Sequence, residues 1–287
     1  MQLPTCLSAG ITAAGIAAAG ITATGAASAA PPARSQPPTS VAQDAAPVPP
    51  GALITSFLHN QVVYCSIICP LLIQTGVTAS DTALRAPGTF RTALQSNDTA
   101  HAIGVTAASI TGPTNAAAEK SILADGTEVA PRALNAFEVG VVGLLNVAPA
   151  AQGASPALAV AAETARRDTY TALNRPIVPN PVPTVRPHGV GQVAVVGAIN
   201  VGAAIAFPAF NDILSSGFQA PDAAARTLAA TGDPARAVAA GVTTEFAAQT
   251  AARTVIADTI AREGDKIRAA AAQSPPTGPI WGIVPSR

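Results

Sequence analysis

Residues 138–147, EVGVVGLLNV, and residues 192–201, QVAVVGAINV, decide the fold of this chain of 287 residues. The two stretches are identical at six of their ten positions and start 54 residues apart. Neither shows the sustained period-two alternation of a half-exposed strand, and both are rich in small and aliphatic residues. We therefore predict two related helices, which arise either from an internal duplication or from coincidence within an alanine-rich sequence.

Small residues within each stretch predict how these helices pack. Gly143 and Gly197 occupy the same position of the two copies, and a glycine lets a neighbouring helix approach closely. Asn146 and Asn200 follow about one turn later, where their amides can hydrogen-bond across the contact. The chain has 67 alanines and 3% aromatic residues, so its packing is expected to depend on such close contacts.

Proline clusters divide the rest of the chain. Residues 31–50 carry seven prolines in twenty positions, which predicts a disordered, extended spacer, because proline fixes φ and has no amide hydrogen. Residues 175–188 form a second proline-rich segment, expected to be a linker or a long surface strap. The predicted fold is an all-α, Ala/Gly-rich helical bundle, with helical halves at 51–174 and 189–273 and a flexible tail at 274–287.

Capping residues and helix breakers predict the individual helices. Asp98, Ser155 and Asp233 each precede a predicted helix start, the last two with a proline at the first helical position. Breaks or new starts are expected at five proline or glycine sites, namely Pro70, Pro87, Pro113, Gly126 and Pro221.

Three stretches carry expectations about burial. Residues 51–79 have no charge but hold several polar side chains, which favours a buried helix over a membrane span. Residues 187–211 are also uncharged and long enough to cross a bilayer, although Gln192 and Pro208 favour a buried central helix. The final predicted helix has an apolar stripe that is expected to pack into the core, formed by Val238, Val242, Phe246, Ile256, Ile260 and Ile267.

Cys65 and Cys69 are four residues apart, which places both thiols on one face of a helix. In an exported protein an even number of cysteines favours a disulfide, and Pro70 would ease its geometry by biasing Cys69 away from the helical conformation. The alternatives are buried reduced thiols, a bridge between two chains, a redox couple or a metal site with His59. The metal site is disfavoured because the other histidines lie in unrelated segments.

The first thirty residues resemble a signal peptide. Residues 1–30 are uncharged and end in the small residues AASAA before Pro31, which fits the pattern for signal cleavage. The positive residues that usually begin such a segment are missing, since the first cation is Arg34. The alternative interpretation is an alanine-rich tail that is never cleaved.

Charge and motifs exclude several functions. The 16 basic and 16 acidic residues balance, so the chain has no positive excess for binding nucleic acid. No nucleophile elbow, phosphate-binding loop, dinucleotide fingerprint or zinc-protease motif is present, and no cofactor is expected. Asp98 and His101 lie one turn apart and are expected to form a surface cap rather than a catalytic pair. The sequence therefore predicts a non-catalytic protein.

The small-residue leader running into AAPP, the proline-rich spacer and the Val/Gly/Asn helices resemble alanine-rich exported envelope proteins of mycobacteria and related actinobacteria. The resemblance is one of style over the whole chain, and some proteins of that kind are described as porin-like. It implies a secreted or cell-envelope location with a structural or interaction role, and an envelope lipid or protein as partner. The alternative is a membrane-inserting, porin-like or lipid-binding helical protein.

Overall fold

The described part of the protein folds into five continuous helices and contains no strand. The structure is a computed structural model that describes residues 47–95, 98–153 and 155–273. The signal-like segment, the spacer up to residue 46 and the predicted tail at 274–287 lie outside the described residues. The all-α prediction is confirmed, and the helices are α1 (Ala52–Leu94), α2 (Thr99–Ala150), α3 (Ser155–Leu173), α4 (Gly189–Thr231) and α5 (Pro234–Gln273).

The helices are longer than the sequence predicts because they continue through most of their prolines. α1 contains Pro70 and Pro87, α2 contains Pro113, and α4 contains Pro221, so the breaks predicted at these four sites are wrong. An interior proline costs about 3 kcal/mol in an isolated helix. Each of these helices packs against a neighbour over many turns, and such packing rather than intrinsic propensity supplies most helical stability in proteins.

α2 and α4 each widen into a π-helical turn near the middle, at Asp125–Val129 and Ile205–Ala209. The helix end predicted at Gly126 is therefore wrong, since α2 continues beyond it. Pro131 follows the first turn and Pro208 lies within the second, and each lacks the amide hydrogen that a regular ladder needs. The missing donors account for a local change of register that leaves each helix unbroken.

The two π-helical turns meet at the centre of the molecule. Ala130, Ala203 and Phe207 form a buried apolar cluster there. Asn211 hydrogen-bonds the side chain of Asp125, and burial raises the pKa of that carboxyl group in spite of this bond. The crossing therefore combines close apolar packing with a half-buried polar pair, Asp125 and Asn211.

Capping is the local feature that the sequence predicts best. The carboxylate of Asp98 accepts a hydrogen bond from the amide of His101 at 3.0 Å. The carboxylate of Asp233 accepts from the amides of Ala235 and Arg236 at 2.8 and 3.2 Å. The helix starts predicted after Asp98 and Asp233 and at Ser155 are confirmed.

The long helices form an open layer in which α1 packs on α2, α2 on α4 and α4 on α5. α2 and α4 are antiparallel along their whole lengths, since Gly104 contacts Leu228 and Ala229 near one end while Asn146 bonds Gln192 near the other. The outer helices, α1 and α5, have no extended contact with each other. The short helix α3 packs on the second half of α2 and on α1.

The layer leaves apolar faces of its outer helices uncovered, which corrects two predictions. Four stripe residues of α5, Val238, Val242, Phe246 and Ile260, are exposed, Val238 to 65% and Phe246 to 62%. α1 is likewise exposed where a buried helix is predicted, and its buried side chains include the polar Ser56 and Asn60. Both predictions fail because no other helix between residues 47 and 273 covers these faces within the described structure.

Residues 175–188 form an extended strap along α2. The amide of Asn180 donates to the carbonyl of Thr127 at 2.7 Å. The amide of Thr184 donates to Oδ1 of Asn135 at 2.5 Å, and Asn135 Nδ2 donates to the Thr184 hydroxyl at 3.0 Å. The proline-rich segment is thus fixed to the helical layer before it leads into α4.

Candidate functional site

Three of the described helices, α1, α2 and α4, are long and apolar enough to cross a membrane. They differ in how much of the apolar stretch the protein itself covers. In the most apolar 18 residues of α4, 39% are buried, whereas none are buried in the corresponding stretch of α1. The apolar residues in this stretch of α1 are therefore exposed or half-buried within the described part of the protein.

The exposed apolar residues of α1 form one long face. Six of them between Ile54 and Val77 are more than half exposed, namely Ile54, Leu58, Val62, Leu72, Ile73 and Val77, and Leu84 further along the helix is exposed to 83%. From Ile54 to Val77 the face extends about 35 Å, at 1.5 Å per residue. The sequence has no charged residue between Asp44 and Asp81. Single exposed apolar side chains are common on protein surfaces, but a continuous apolar surface of this length is not. It indicates an interaction site.

Cys65 and Cys69 lie on α1 between the two ends of this face. Their sulfur atoms form a close pair, with 5.2 Å between the two Cα atoms. Both residues are half-buried. His59 does not join them in a metal site, since no group of three or more potential ligands occurs among the described residues.

An apolar groove opens where the start of α1 separates from the second half of α2. Its volume is about 580 Å³, and α3 forms its floor. Its lining is mostly apolar and includes Leu53, Phe57, Phe137, Val141, Leu144 and Val147. On α2 the lining runs from Ala133 to Val147, which is about 21 Å of helix. The volume lies in the ordinary range of about 300–1,000 Å³ for small-molecule sites.

A buried arginine closes the inner end of the groove. Arg132 donates to the hydroxyl of Tyr64 at 2.7 Å and to the carbonyls of Leu173 and Arg175 at 2.6 Å each. Asn60 also donates to the carbonyl of Leu173, at 2.8 Å. These bonds place the positive charge of Arg132 at the negative end of α3, which favours it. Burial raises the pKa of Tyr64, while Arg132 acts in the opposite direction.

A second arginine lies at the opposite end of the groove. Arg166, on α3, lines the groove and donates to the carbonyl of Pro49 at 2.7 Å. It has no carboxylate partner among the described residues, whereas its neighbour Arg167 lies 3.9 Å from Glu163. The groove therefore combines an apolar channel with an arginine at each end, and neither Arg132 nor Arg166 pairs with a carboxylate among the described residues.

The first repeat copy lies where α2 meets α3. A Cβ added at Gly143 would lie 2.9 Å from the Cβ and 3.2 Å from the Cα of Ala165, so this glycine permits the close approach of α3. Asn146 accepts a hydrogen bond from Gln192 of α4 at 2.6 Å. Its amide therefore bridges from the first copy to the start of the second.

The second repeat copy lies where α4 meets α5. A Cβ added at Gly197 would lie 3.3 Å from the Cβ of Glu263. Asn200 lines a pocket of about 540 Å³ between α2, α4, α5 and the strap, which we call the strap pocket. Gly143 and Gly197 thus face different helices, and the structure does not bring the four repeat residues into one site.

The strap pocket holds two buried carboxylates that the motif analysis does not single out. Glu138 of α2 is 3% exposed and Glu263 of α5 is 4% exposed. Glu263 pairs with Lys266 at 2.8 Å and Arg262 at 3.7 Å. Oε1 of Glu138 is buried and has no hydrogen-bond partner among the described residues. Burial and the charge of Glu263 raise the pKa of Glu138 to about 7, although Lys266 acts against them.

The sequence motifs do not identify Arg132 or Glu138, but both residues share a feature that is visible in the sequence. Arg132 and Glu138 are single charged residues within the apolar stretch from Val129 to Val147. A charged residue that interrupts such a stretch on a packed helix must be buried with partners or in a pocket. By contrast, the expected cap at the surface is present, with His101 Nδ1 2.9 Å from the carboxylate of Asp98.

Comparison with protein-family models, curated proteins and solved structures finds no match. The features of the molecule that bear on its function are therefore the outward face of α1, the groove and the strap pocket.

Proposed function

We propose that this chain is a non-catalytic, membrane-associated helical protein that binds lipid through α1 and the adjoining groove. The observation that carries the proposal is the uncovered apolar face of α1. Its six large side chains would contribute on the order of 5–10 kcal/mol if each were transferred from water to an apolar phase. Burying this face would therefore release more free energy than burying the scattered apolar side chains that a monomeric protein normally exposes.

The charges beside α1 favour association with the membrane surface over a complete span. α3 packs on the start of α1 and carries four charged residues, of which Glu163 and Arg166 form hydrogen bonds with Val48 and Pro49 just before that helix. Placing these charges in the hydrocarbon core would be costly. The folded layer is therefore proposed to insert the face of α1 into one side of a bilayer, with α3 at the interface.

The groove is proposed to hold an acyl chain with an anionic head group. Its length of about 21 Å is comparable to one leaflet of a hydrocarbon core that is about 30 Å thick. Arg166 at one end offers an unpaired cation to a carboxylate or phosphate. The lipid would thus have its chain along α2 and its head group near Pro49.

A location outside the cytoplasm, in the cell envelope, completes the proposal. It is supported by the signal-like segment at 1–30 and by the resemblance to exported mycobacterial envelope proteins. Envelope lipids would then be available to the apolar face of α1. The structural or interaction role predicted from the sequence becomes, in this proposal, a role in lipid association.

Vesicle flotation tests the proposal. The purified chain is mixed with phosphatidylglycerol–phosphatidylcholine vesicles, and the bound fraction is measured for the triple variant I54S/L58S/V62S of α1. The matched control is V238S/V242S/F246S on the exposed stripe of α5. We expect the α1 variant to lose most of its vesicle binding and the α5 variant to retain it. Equal binding by the two variants, or no binding by the wild type, would contradict the proposal.

Sedimentation without lipid separates this proposal from a protein interface. A wild-type oligomer that dissociates in the α1 variant, together with an absence of vesicle binding, would assign the face to protein contacts. A monomer that binds vesicles supports the lipid interpretation. Circular dichroism of both variants checks that the substitutions leave the helical content unchanged, as expected for side chains that make little contact within the fold.

A further inference from the structure

The strap pocket is separate from the apolar groove, although both use the second half of α2. The groove takes the face of α2 that carries Phe137, Val141 and Leu144, whereas the strap pocket takes Leu134, Asn135 and Glu138. A ligand in the strap pocket would therefore not compete for the space of an acyl chain.

We propose that the strap pocket binds a small organic ammonium ion, held by the carboxylate of Glu138. Glu138 is 97% buried, given its exposed fraction of 3%, and no donor reaches its Oε1 from the part of the chain that the structure describes. A buried carboxylate oxygen without a partner costs free energy unless a donor reaches it. An ammonium ion supplies both N–H donors and the opposite charge.

The surrounding groups leave Glu138 as the acceptor for such a ligand. From α5, Lys266 pairs with Glu263 at 2.8 Å, and Arg262 donates to the Thr259 hydroxyl at 3.1 Å and lies 3.7 Å from Glu263. From α4 the lining residues Val193, Val196 and Asn200 carry no charge. On α2 itself, Asn135 is occupied by hydrogen bonds with Thr184.

The strap cannot supply the missing donor from its prolines. Pro181, Pro183 and Pro187 line the pocket on this side, and proline has no amide hydrogen. The pocket therefore presents an apolar wall opposite a buried acid. This combination of an apolar surface with one fixed polar group is the usual composition of a small-molecule site.

Charge and size define the class of ligand further. Lys266 and Arg262 lie at the same pocket and would repel a second positive charge, so the ligand is a monocation. The apolar lining, with Pro181, Pro183, Val193 and Val196, favours an ammonium ion that carries an apolar body. The volume of about 540 Å³ accommodates such a molecule.

Calorimetric titration of the full chain with benzylammonium chloride at pH 8 tests the proposal, with benzyl alcohol as the uncharged comparison. We expect saturable binding of benzylammonium, at least tenfold weaker binding in Glu138→Gln, and unchanged binding in the control Glu119→Gln. Glu119 is an exposed acid on the same helix, so the control removes a charge of the same kind outside the pocket. Val193→Phe enlarges an apolar lining residue of the pocket and leaves Glu138 in place, and it should also abolish binding.

Three results would overturn the proposal. They are no saturable binding by the wild type, equal binding by Glu138→Gln, and equal affinity for benzyl alcohol. The test uses no lipid, so failure of the vesicle experiment would leave this result unaffected. Binding is also expected to weaken at least tenfold between pH 8 and pH 5, because protonation removes the charge of Glu138 while Lys266 and Arg262 keep theirs.

Discussion

The amide of Asn180 donates to the carbonyl of Thr127, and this bond of 2.7 Å joins the strap to the π-helical turn of α2. Pro131, four residues after Thr127, has no amide hydrogen to give that carbonyl. The strap therefore satisfies an acceptor that α2 leaves open. Asn180 adopts φ 51°, in the left-handed region that favours glycine and asparagine over other residues.

This hydrogen bond predicts that two substitutions of Asn180 differ strongly in their effect on stability. Asn180→Pro removes the donor and cannot adopt a positive φ, so we expect it to lower the free energy of unfolding by about 3 kcal/mol. Asn180→Gly keeps the amide and the conformation, and should change stability by less than about 1 kcal/mol. Urea denaturation followed by circular dichroism measures both. Similar loss in the two variants would show that the Asn180 side chain, rather than its backbone, fixes the strap.

Alanine substitutions at two glycines of α2 distinguish the effect of a close helix contact from the effect of helix propensity alone. At Gly143 an added Cβ would lie 2.9 Å from the Cβ of Ala165, so α3 would have to shift. Gly143→Ala is therefore expected to destabilise the protein by about 1–3 kcal/mol. At Gly140 the nearest atoms, on Thr169, are 3.7 Å away, and Gly140→Ala should gain up to about 1 kcal/mol from helix propensity. Thermal unfolding of both variants checks the difference, and a stabilised Gly143→Ala would contradict the close packing of α3.

The class of fold and the local caps could be predicted from the sequence because they depend on short-range patterns. Asp98 and Asp233 cap the helices that follow them, as their positions before helical stretches predict. The prolines at 70, 87, 113 and 221 were misleading because a long neighbouring helix can outweigh a local defect. Helix ends therefore depended on tertiary contacts that no local pattern contains.

Burial could not be predicted from periodicity in this chain. The stripe on α5 has the helical spacing of a core face, yet Val238 and Phe246 are mostly exposed. An apolar stripe predicts only that a surface needs a partner, and the partner can be another molecule. Whether another helix covers a face depends on how the whole layer is arranged, so no single segment of the sequence predicts it.

The candidate sites were predicted in part. Cys65 and Cys69 were recognised from their spacing, and they do form a close pair. Glu138 lies within the repeat that was used to predict the helices, but Glu263, the second carboxylate of the strap pocket, is 125 residues away. Only the antiparallel order of α2, α4 and α5 brings these two carboxylates to one pocket. The groove likewise requires α1, α2 and α3 together.

The buried carboxyl group of Glu138 predicts how stability depends on pH. Its pKa rises from 4.5 to about 7 on folding, so between these values the folded protein holds a proton that the unfolded chain has released. This contribution to stability is present below about pH 4.5 and is lost as the pH rises to about 7. It amounts to at most about 3 kcal/mol. Glu138→Gln should remove this loss, and denaturation of both proteins at pH 5 and pH 8 compares them. Parallel pH profiles would contradict the assignment to Glu138.

The close pair of Cys65 and Cys69 predicts a specific chemical result. In an oxidising compartment the two thiols should form a bond, so the intact mass of the unreduced protein should be lower by two hydrogens than that of the reduced protein. The loop between them is short, and the bond should contribute no more than about 2 kcal/mol to stability. Mass spectrometry with and without reductant, after blocking of thiols, measures the first point. Full alkylation of both cysteines before reduction would show that the pair is reduced.

Arg166 and Arg167 provide a matched pair for testing the groove. Arg166 lines the groove without a carboxylate partner, whereas Arg167 lies 3.9 Å from Glu163 and is not among the lining residues. If the groove holds a fatty acid with its carboxylate at Arg166, Arg166→Gln should weaken palmitate binding about five- to tenfold, because a partly exposed ion pair contributes about 1 kcal/mol. Arg167→Gln should leave the affinity within about twofold, since it removes the same charge outside the groove. Displacement of a fluorescent fatty acid measures both affinities. An equal effect of the two substitutions would indicate general electrostatic attraction to α3, and the carboxylate would then have no fixed place at the end of the groove.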